Sequence, residues 1–331
     1  LIDANELGDR KISSYHISFV IGPCINAGGR LDTAKKAFEL FRSKNIDDAI
    51  RKAQSLKALN DERKNMTNKY TQEAIEMLNN DKELSDENVI VLYIKECHES
   101  IAGIIAGRIK EIYYKPTFIL TDSEDGLKGS GRSVEDYSMY EEMVLADTRY
   151  REKYHTDTPL LKKFGGHKMA AGLSIDAVKV DEFRKLLNAS EGVNNEVITR
   201  KVWIDVALPF EYISEELINE LEILEPFGKG NEKPVFAERD VKIKKIKILG
   251  KSRNVISLSL ENIAGIKMEA TCFEDGNIFI KYIEEKFSRN DLDAALSGKN
   301  NNILLNIIYY PEVNEYRGFH NIRVVIKRYS W

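Results

Sequence analysis

Cysteine is scarce in this 331-residue chain: Cys24, Cys97 and Cys272 are odd in number, far apart and never arranged as CxxC. That pattern excludes a disulfide-stapled scaffold and a zinc finger, and it fits reduced thiols in a cytoplasmic protein. Long apolar runs are missing too. The most apolar helical stretch, residues 101–109, carries Arg108 and falls far short of the roughly 20 residues a bilayer requires. Neither a membrane span nor a membrane partner is expected, and no signal peptide is visible. The chain also contains no GxxxxGK[ST] run, nucleophile elbow or HExxH, so those chemistries have no carrier here.

What the chain does have is size and unevenly placed charge. A content of 43% hydrophobic and 31% charged residues describes a globular chain of two or more domains at about 150 residues each. Such a length buries about three quarters of the surface exposed when unfolded, with no need of a structural metal. The net charge of −4 argues against a polyanionic partner, but residues 238–331 hold 16 Lys plus Arg against 12 Asp plus Glu, which makes this end +4 and the remainder −8. A basic end is what a nucleic acid would seek. The chain opens at Leu1 in a polar stretch, as expected of a piece of something longer.

Periodicity predicts an α+β multidomain chain. After an initial loop, Thr33 caps a helix through Ala34, Ala37, Phe38 and Phe41, and residues 47–79 run without Gly or Pro. These form a polar helix of roughly 50 Å, suited to connecting domains. Residues 89–94, 117–120 and 127–133 read as strands and 101–113, 139–145 and 180–187 as helices, an α/β domain over about 86–190. A turn-rich bridge follows to 237. Beyond it period two takes over, with a phase slip between Ile243 and Ile246 that a β-bulge would produce. Five strands over 238–331, with a helix near 278–287 after the third, suit a five-stranded OB-fold β-barrel, with an SH3-like barrel as the alternative.

Three segments combine glycines with arginine or histidine: GPCINAGGRL at 22–31, LKGSGRS at 127–133 and FGGHKMAAG at 164–172. Glycine lets a backbone approach a phosphate while a guanidinium grips it in a fork. The same arginines would also serve a tight turn by holding carbonyls or a carboxylate. In the barrel, residues 239–253 hold Arg239, Lys242, Lys244, Lys245, Lys247, Lys251 and Arg253 against Asp240 alone. That run reads either as a solvated, aggregation-deterring edge or as a groove that tracks a nucleic-acid backbone. Phe273, Tyr309, Tyr310, Tyr316 and Phe319 could stack bases, some being core, and residues 317–331 add four Lys or Arg and no acid.

Taken together, these motifs resemble the later two thirds of the RecJ family, single-strand-specific 5′-to-3′ DNA exonucleases of the DHH phosphoesterase superfamily. The family's GPRLNAAGRL stands here as GPCINAGGRL and WHPGVVGIVASRL as CHESIAGIIAGRI (97–109). LKGSGRS is intact, KFGGHAMAAGLS is KFGGHKMAAGLS (163–174), and PFGxGNxxPVF is intact at 226–236. Cys24, Cys97 and Gly107 depart from the commoner Arg, Trp and Ser, so neither cysteine is given a role.

The resemblance implies residues 1–46 as the tail of a DHH domain, 47–85 as a connector helix, 86–190 as a DHH-associated phosphate- and DNA-binding α/β domain, 191–237 as linker and 238–331 as an OB-fold DNA-binding domain. Its phosphate and DNA contacts fall on Asn26, Arg30, Arg108, Ser130, Gly131, Arg132, Ser133, Gly165, Gly166 and His167. The roles of His98 and His167 stay open: His98 as a helix-start residue, His167 as a phosphate contact or a helix cap. No DHH triplet is present, so catalytic and metal-ligating residues are expected outside the chain. Manganese or magnesium would serve the whole enzyme. Partners would be single-stranded DNA with a 5′ end, a single-strand-binding protein and a helicase, with the chain a cytoplasmic monomer. Two rivals are a DHH-superfamily phosphodiesterase of short oligonucleotides or cyclic dinucleotides and a non-enzymatic repair scaffold.

Overall fold

The computed structural model describes residues 1–8, 12–194, 196–316 and 319–330, without the side chains of 315, 316 and 319. It divides into two compact units, Leu1–Lys201 and Val202–Trp331. Among the described residues no helix is long and apolar enough to cross a membrane.

The first unit begins with helices. α1 (Ser14–His16) passes through a π turn at Ile17–Ile21 into α2 (Gly22–Leu31), and α3 (Lys35–Phe41) follows. The GPCINAGGRL segment, expected as a loop, is α2 itself. Pro23 sits in its first turn, where a missing N–H costs nothing, and Cys24, Ala27 and Gly28 form its buried face. Next comes α4 (Ile46–Asn80), capped by Asn45, whose side chain accepts from the Asp48 N–H at 2.8 Å. Ala53, Leu56, Asn60, Thr67, Tyr70, Thr71, Ala74 and Leu78 fall on one side of the helix and are buried. This stripe packs on α2 and α3 and then on α6 (Glu99–Tyr113), so a helix mostly polar by composition has one buried side along its length. Short α5 (Lys82–Asp86) leads to the sheet.

That sheet holds β1 (Ile90–Tyr93), β2 (Thr117–Ser123), β3 (Gly126–Arg132), β4 (Leu161–His167) and β5 (Ala170–Ile175) in the order β1-β2-β3-β5-β4, parallel only between β1 and β2. One face packs Phe118, Leu120, Leu127 and Leu173 against α7 (Met139–Tyr154) and α8 (Val180–Asn188). On the other face, Ile90, Leu92 and Ile119 of β1 and β2 lie against α4 and α6. The outcome is asymmetric: α6 lies over β2 and β3, while the same face of β5 and β4 stays open.

The second unit starts with β6 (Val206–Ala207) and α9 (Glu215–Glu222). Then β7 (Phe236–Leu249), β8 (Val255–Glu261) and β9 (Lys267–Cys272) form an antiparallel meander. After α10 (Gly276–Lys286) and α11 (Arg289–Leu296), β10 (Leu304–Tyr316) and β11 (Phe319–Ser330) close the barrel by pairing β10 with β7 and β11, in parallel, with β9. This is the five-stranded OB arrangement, with two helices after the third strand where one was expected. The phase slip is a register shift between Ile243 and Lys245, which keeps Val241, Ile243 and Ile246 all in the core. Each fully buried Ile or Leu there contributes ~1.5–3 kcal/mol.

Candidate nucleic-acid interface

The open face of the first unit is ordered by strand register. Lys128, Ser174 and Lys163 lie side by side across β3, β5 and β4; the next row is Ser130, Gly172 and Gly165, and the next Arg132, Ala170 and His167. Since alternate residues of a strand share a face, this surface has a floor of Gly, Ala and Ser with cationic or imidazole side chains at its corners. A cavity of about 410 Å³ opens on it beside α6, lined among others by Ser130, Lys163, Gly172, Ser174 and Ser100. Lys128 is partly neutralised by Glu99 at 2.7 Å. A floor without long side chains admits a chain of phosphates and sugars close to the backbone.

Four arginines gather at the margin, from four different elements. Arg30 of α2 donates to the Ser100 carbonyl at 2.8 Å, and Arg63 of α4 donates to Asn60 Oδ1 at 2.9 and 3.2 Å. Arg108 of α6 donates to Asn68 Oδ1 at 2.6 Å, and Arg132 at the end of β3 to the Gly131 carbonyl at 2.7 Å. Every partner is a neutral oxygen. Among the described residues none of the four is in an ion pair. Burial lowers the pKa of Arg63, Arg108 and Arg132, and the charge of Arg30 lowers Arg63 and Arg132 further, with Arg108 also acting on Arg63. Guanidiniums oriented by neutral acceptors, partly desolvated and repelling one another, are poised for a polyanion. Gly103 makes room: a Cβ there would lie 2.6 Å from Arg132 Nη2.

The structure distributes the remaining expected residues unequally. Asn26 is exposed and stands one turn before Arg30 on α2, so the two share a face. The Ser133 hydroxyl is buried and donates to the Tyr137 carbonyl at 2.7 Å, and Gly131 lies under the Phe118 ring on the core side. Gly165 is on the open floor, while Gly166, at φ +145°, turns toward the core with Ala170 O 2.4 Å from a would-be Cβ. His167 ends β4 on the open face, and β5 rather than a helix follows it, which removes the helix-cap role. His98 is the N-cap of α6, its ring accepting from the Ser100 N–H at 3.3 Å. Arg63 and Gly103 escaped the sequence reading. Arg63 lay in a helix read as a connector, and the Gly103-to-Gly107 spacing was the available signal for a helix face left bare.

On the barrel, Arg239, Lys245 and Lys247 of β7 are exposed, as is Lys251 in the β7–β8 loop. Lys242 donates to Asn300 Oδ1 at 2.9 Å, Lys244 pairs with Glu261 at 3.4 Å, and Arg253, in the left-handed region at φ +53°, donates to Asn277 Oδ1 at 3.1 Å. Tyr309 is core and Tyr310 is flanked by Lys233 and Lys327 at 3.9 and 4.8 Å from its ring centre, whereas Phe273 is 63% exposed. Arg317 and Trp331, with the side chains of Tyr316 and Phe319, lie outside the described residues. In the PFGKGN turn, Gly230 takes φ +85° and the Asn231 amide donates to the Leu224 and Pro226 carbonyls at 2.8 and 3.1 Å.

An α/β sheet with a bare floor of Gly, Ala and Ser, followed by a closed five-stranded OB barrel, defines a two-domain α+β class. Family models agree: a DHHA1 domain matches residues 86–191 and a RecJ OB domain matches 204–328. The chain thus carries these two domains in order and is similar to RecJ proteins along nearly its whole length. It is 28% identical to a single-stranded-DNA-specific exonuclease RecJ of Haemophilus influenzae over 98% of this chain and 54% of that protein. It is 29% identical to the protein of that name in Bacillus subtilis over 79% of this chain and 32% of that one. A crystal structure of RecJ from Thermus thermophilus with Mn2+ shares the fold at a TM-score of 0.75 and 22% identity, covering 99% of this chain and 43% of that one. A second structure of that protein holds Mg2+. The chain thus spans about half the length of the curated relatives it matches along its whole extent.

Proposed function

We propose that this chain is the DNA-holding part of a 5′-to-3′ single-strand exonuclease used in repair and recombination. Residues 86–190 take phosphates near the 5′ end, and residues 238–331 hold the strand beyond. The observation that carries this reading is the quartet of arginines without carboxylate partners among the described residues, beside a floor of Gly, Ala and Ser. Relatives named for single-stranded-DNA-specific exonuclease activity support it. Arg132 and Arg30 grip a phosphate through forked N–H donors, Ser130 adds a hydroxyl from the floor, and Arg108 and Arg63 neutralise the next part of the backbone.

Among the described residues no three His, Cys, Asp or Glu side chains are grouped to hold a metal, so no hydrolytic step is assigned to this chain. The manganese or magnesium proposed for the whole enzyme, supported by the metals in the related structures, takes its ligands elsewhere. This chain alone binds without cutting. Its working setting is a cytoplasmic monomer, with a single-strand-binding protein and a helicase as protein partners.

Fluorescence anisotropy with 5′-phosphorylated and 5′-hydroxyl single strands tests the reading. Arg132→Ala should cut the preference for the phosphorylated end by roughly 10-fold, the scale of one charge-assisted contact, while Lys247→Ala weakens both strands equally. Equal losses for both ends in Arg132→Ala would remove the pocket from this role, and binding indifferent to salt would remove the phosphate-contact mechanism altogether.

A further inference from the structure

An OB barrel commonly holds its ligand across the outer face of its second and third strands. Here that face carries Ser257, Ser259 and Glu261 of β8 with Lys267 and Glu269 of β9, and Ser259 donates to Glu269 at 2.6 Å. Two carboxylates, one lysine and no aromatic ring make a poor bed for a base. The basic side chains lie instead along β7 and the β7–β8 loop, and that loop leads somewhere specific. The Gly276 N–H at the start of α10 donates to the Arg253 carbonyl at 2.8 Å, and Gly276 packs so tightly that a Cβ would meet Ile248 at 2.6 Å. The basic loop is therefore fastened to the first turn of α10.

Beside that turn lies a cavity of about 380 Å³ between the ends of β9 and β11 and the side of α10. Its walls include Phe273, Ile278, Tyr282, Arg328 and Tyr329. Phe273 and Ile278 are 63% and 59% exposed, apolar surface offered to water. Tyr282 and Tyr329 meet edge to face at 5.3 Å, and Tyr329 is fixed by donating to Glu274 at 2.7 Å, so the back wall is rigid. Arg328 spends one donor on the Lys327 carbonyl at 3.0 Å and is in no ion pair among the described residues.

We propose that this cavity is a nucleobase pocket, in which one unpaired base of the bound strand stacks on Phe273 while Arg328 and the Lys247–Lys251–Arg253 ridge hold the flanking phosphates. A stacking ring at the end of a cationic ridge is the combination that binds single strands with little sequence preference. Because the ridge is joined at Arg253 to the first turn of α10, which carries Ile278 of the pocket wall, charge and ring address the same ligand. This inference rests on the reading that the barrel holds single-stranded DNA, and it adds where a base, rather than the backbone, is recognised.

The test compares a short single strand carrying 2-aminopurine with an abasic strand of equal length and charge, both titrated into the 331-residue chain. Phe273→Ala should lower affinity for the base-bearing strand by roughly 5- to 100-fold, abolish 2-aminopurine quenching and leave the abasic strand unaffected. Phe273→Trp should retain both affinity and quenching, which a role in folding alone would not predict. Unchanged affinity and quenching in Phe273→Ala, with Lys247→Ala still weakening both strands, overturns the pocket and leaves the proposed function standing. Failure of the unaltered chain to bind either strand overturns both.

Discussion

The role proposed for the arginine quartet asks almost no chemistry of Gly103. It supplies no contact, only the absence of a side chain where Arg132 lies, and a single methyl would sit within 2.6 Å of the guanidinium. Gly103→Ala should displace that group and lower affinity for a 5′-phosphorylated strand about as much as Arg132→Ala does, with the thermal midpoint barely moved. Anisotropy together with a melting curve would show this, and retention of full affinity would mean that Arg132 relaxes without cost. Gly166 is the opposite case. At φ +145° and with backbone 2.4 Å from a would-be Cβ, Gly166→Ala should destabilise the β4–β5 hairpin by ~2 kcal/mol or more, seen as a lowered denaturation midpoint. The sequence showed Gly103 in a segment that also holds Arg108, and Gly166 beside His167. It did not show which glycine clears a ligand-facing side and which permits a turn.

At the scale of elements, α4 and β7 carry most of what the polar composition concealed. Asp48, in the first turn of α4, has a pKa lowered to about 2, mainly by accepting from Lys52 and then from Arg51. A carboxylate depressed in the folded state stabilises it above the unfolded value of 3.8, and that contribution is lost as pH falls from there toward about 2. Acid titration by circular dichroism should therefore show a shallower loss of stability between those values in Asp48→Asn than in the unaltered chain. For β7, each exposed lysine that meets a phosphate contributes about one unit to the slope of log affinity against log salt. Lys245→Ala and Lys247→Ala should each reduce that slope by about one, whereas Lys244, held by Glu261 at 3.4 Å, should change it less. The bulge between Ile243 and Lys245 was legible as a phase slip, because a strand that must keep its apolar side inward has no other way to absorb an extra residue.

Across the molecule, each compact unit has its own core: Phe210, Val241, Ile256 and Tyr309 among others in one, Phe118, Met143 and Phe183 or Ile101, Ile105 and Leu92 in the other. Residues 202–331 expressed alone should unfold cooperatively in urea, as a unit with a closed barrel and a continuous core would; a broad, non-cooperative transition would place the boundary elsewhere. The sequence by itself determined the long helix, β1 to β3 of the sheet, the five barrel strands and three of the four arginines worth watching, because periodicity and glycine-rich motifs are local properties of the chain; α2, β4, β5 and α11 it left unmarked. Only the tertiary structure decided that α6 covers half of one sheet face and leaves the other half bare. It also decided that Arg30, Arg63, Arg108 and Arg132 converge from four elements, and that Phe273 rather than Tyr309 faces solvent. The physical reason is that convergence and exposure depend on what packs against a residue from far along the chain, a relation that no window of sequence contains.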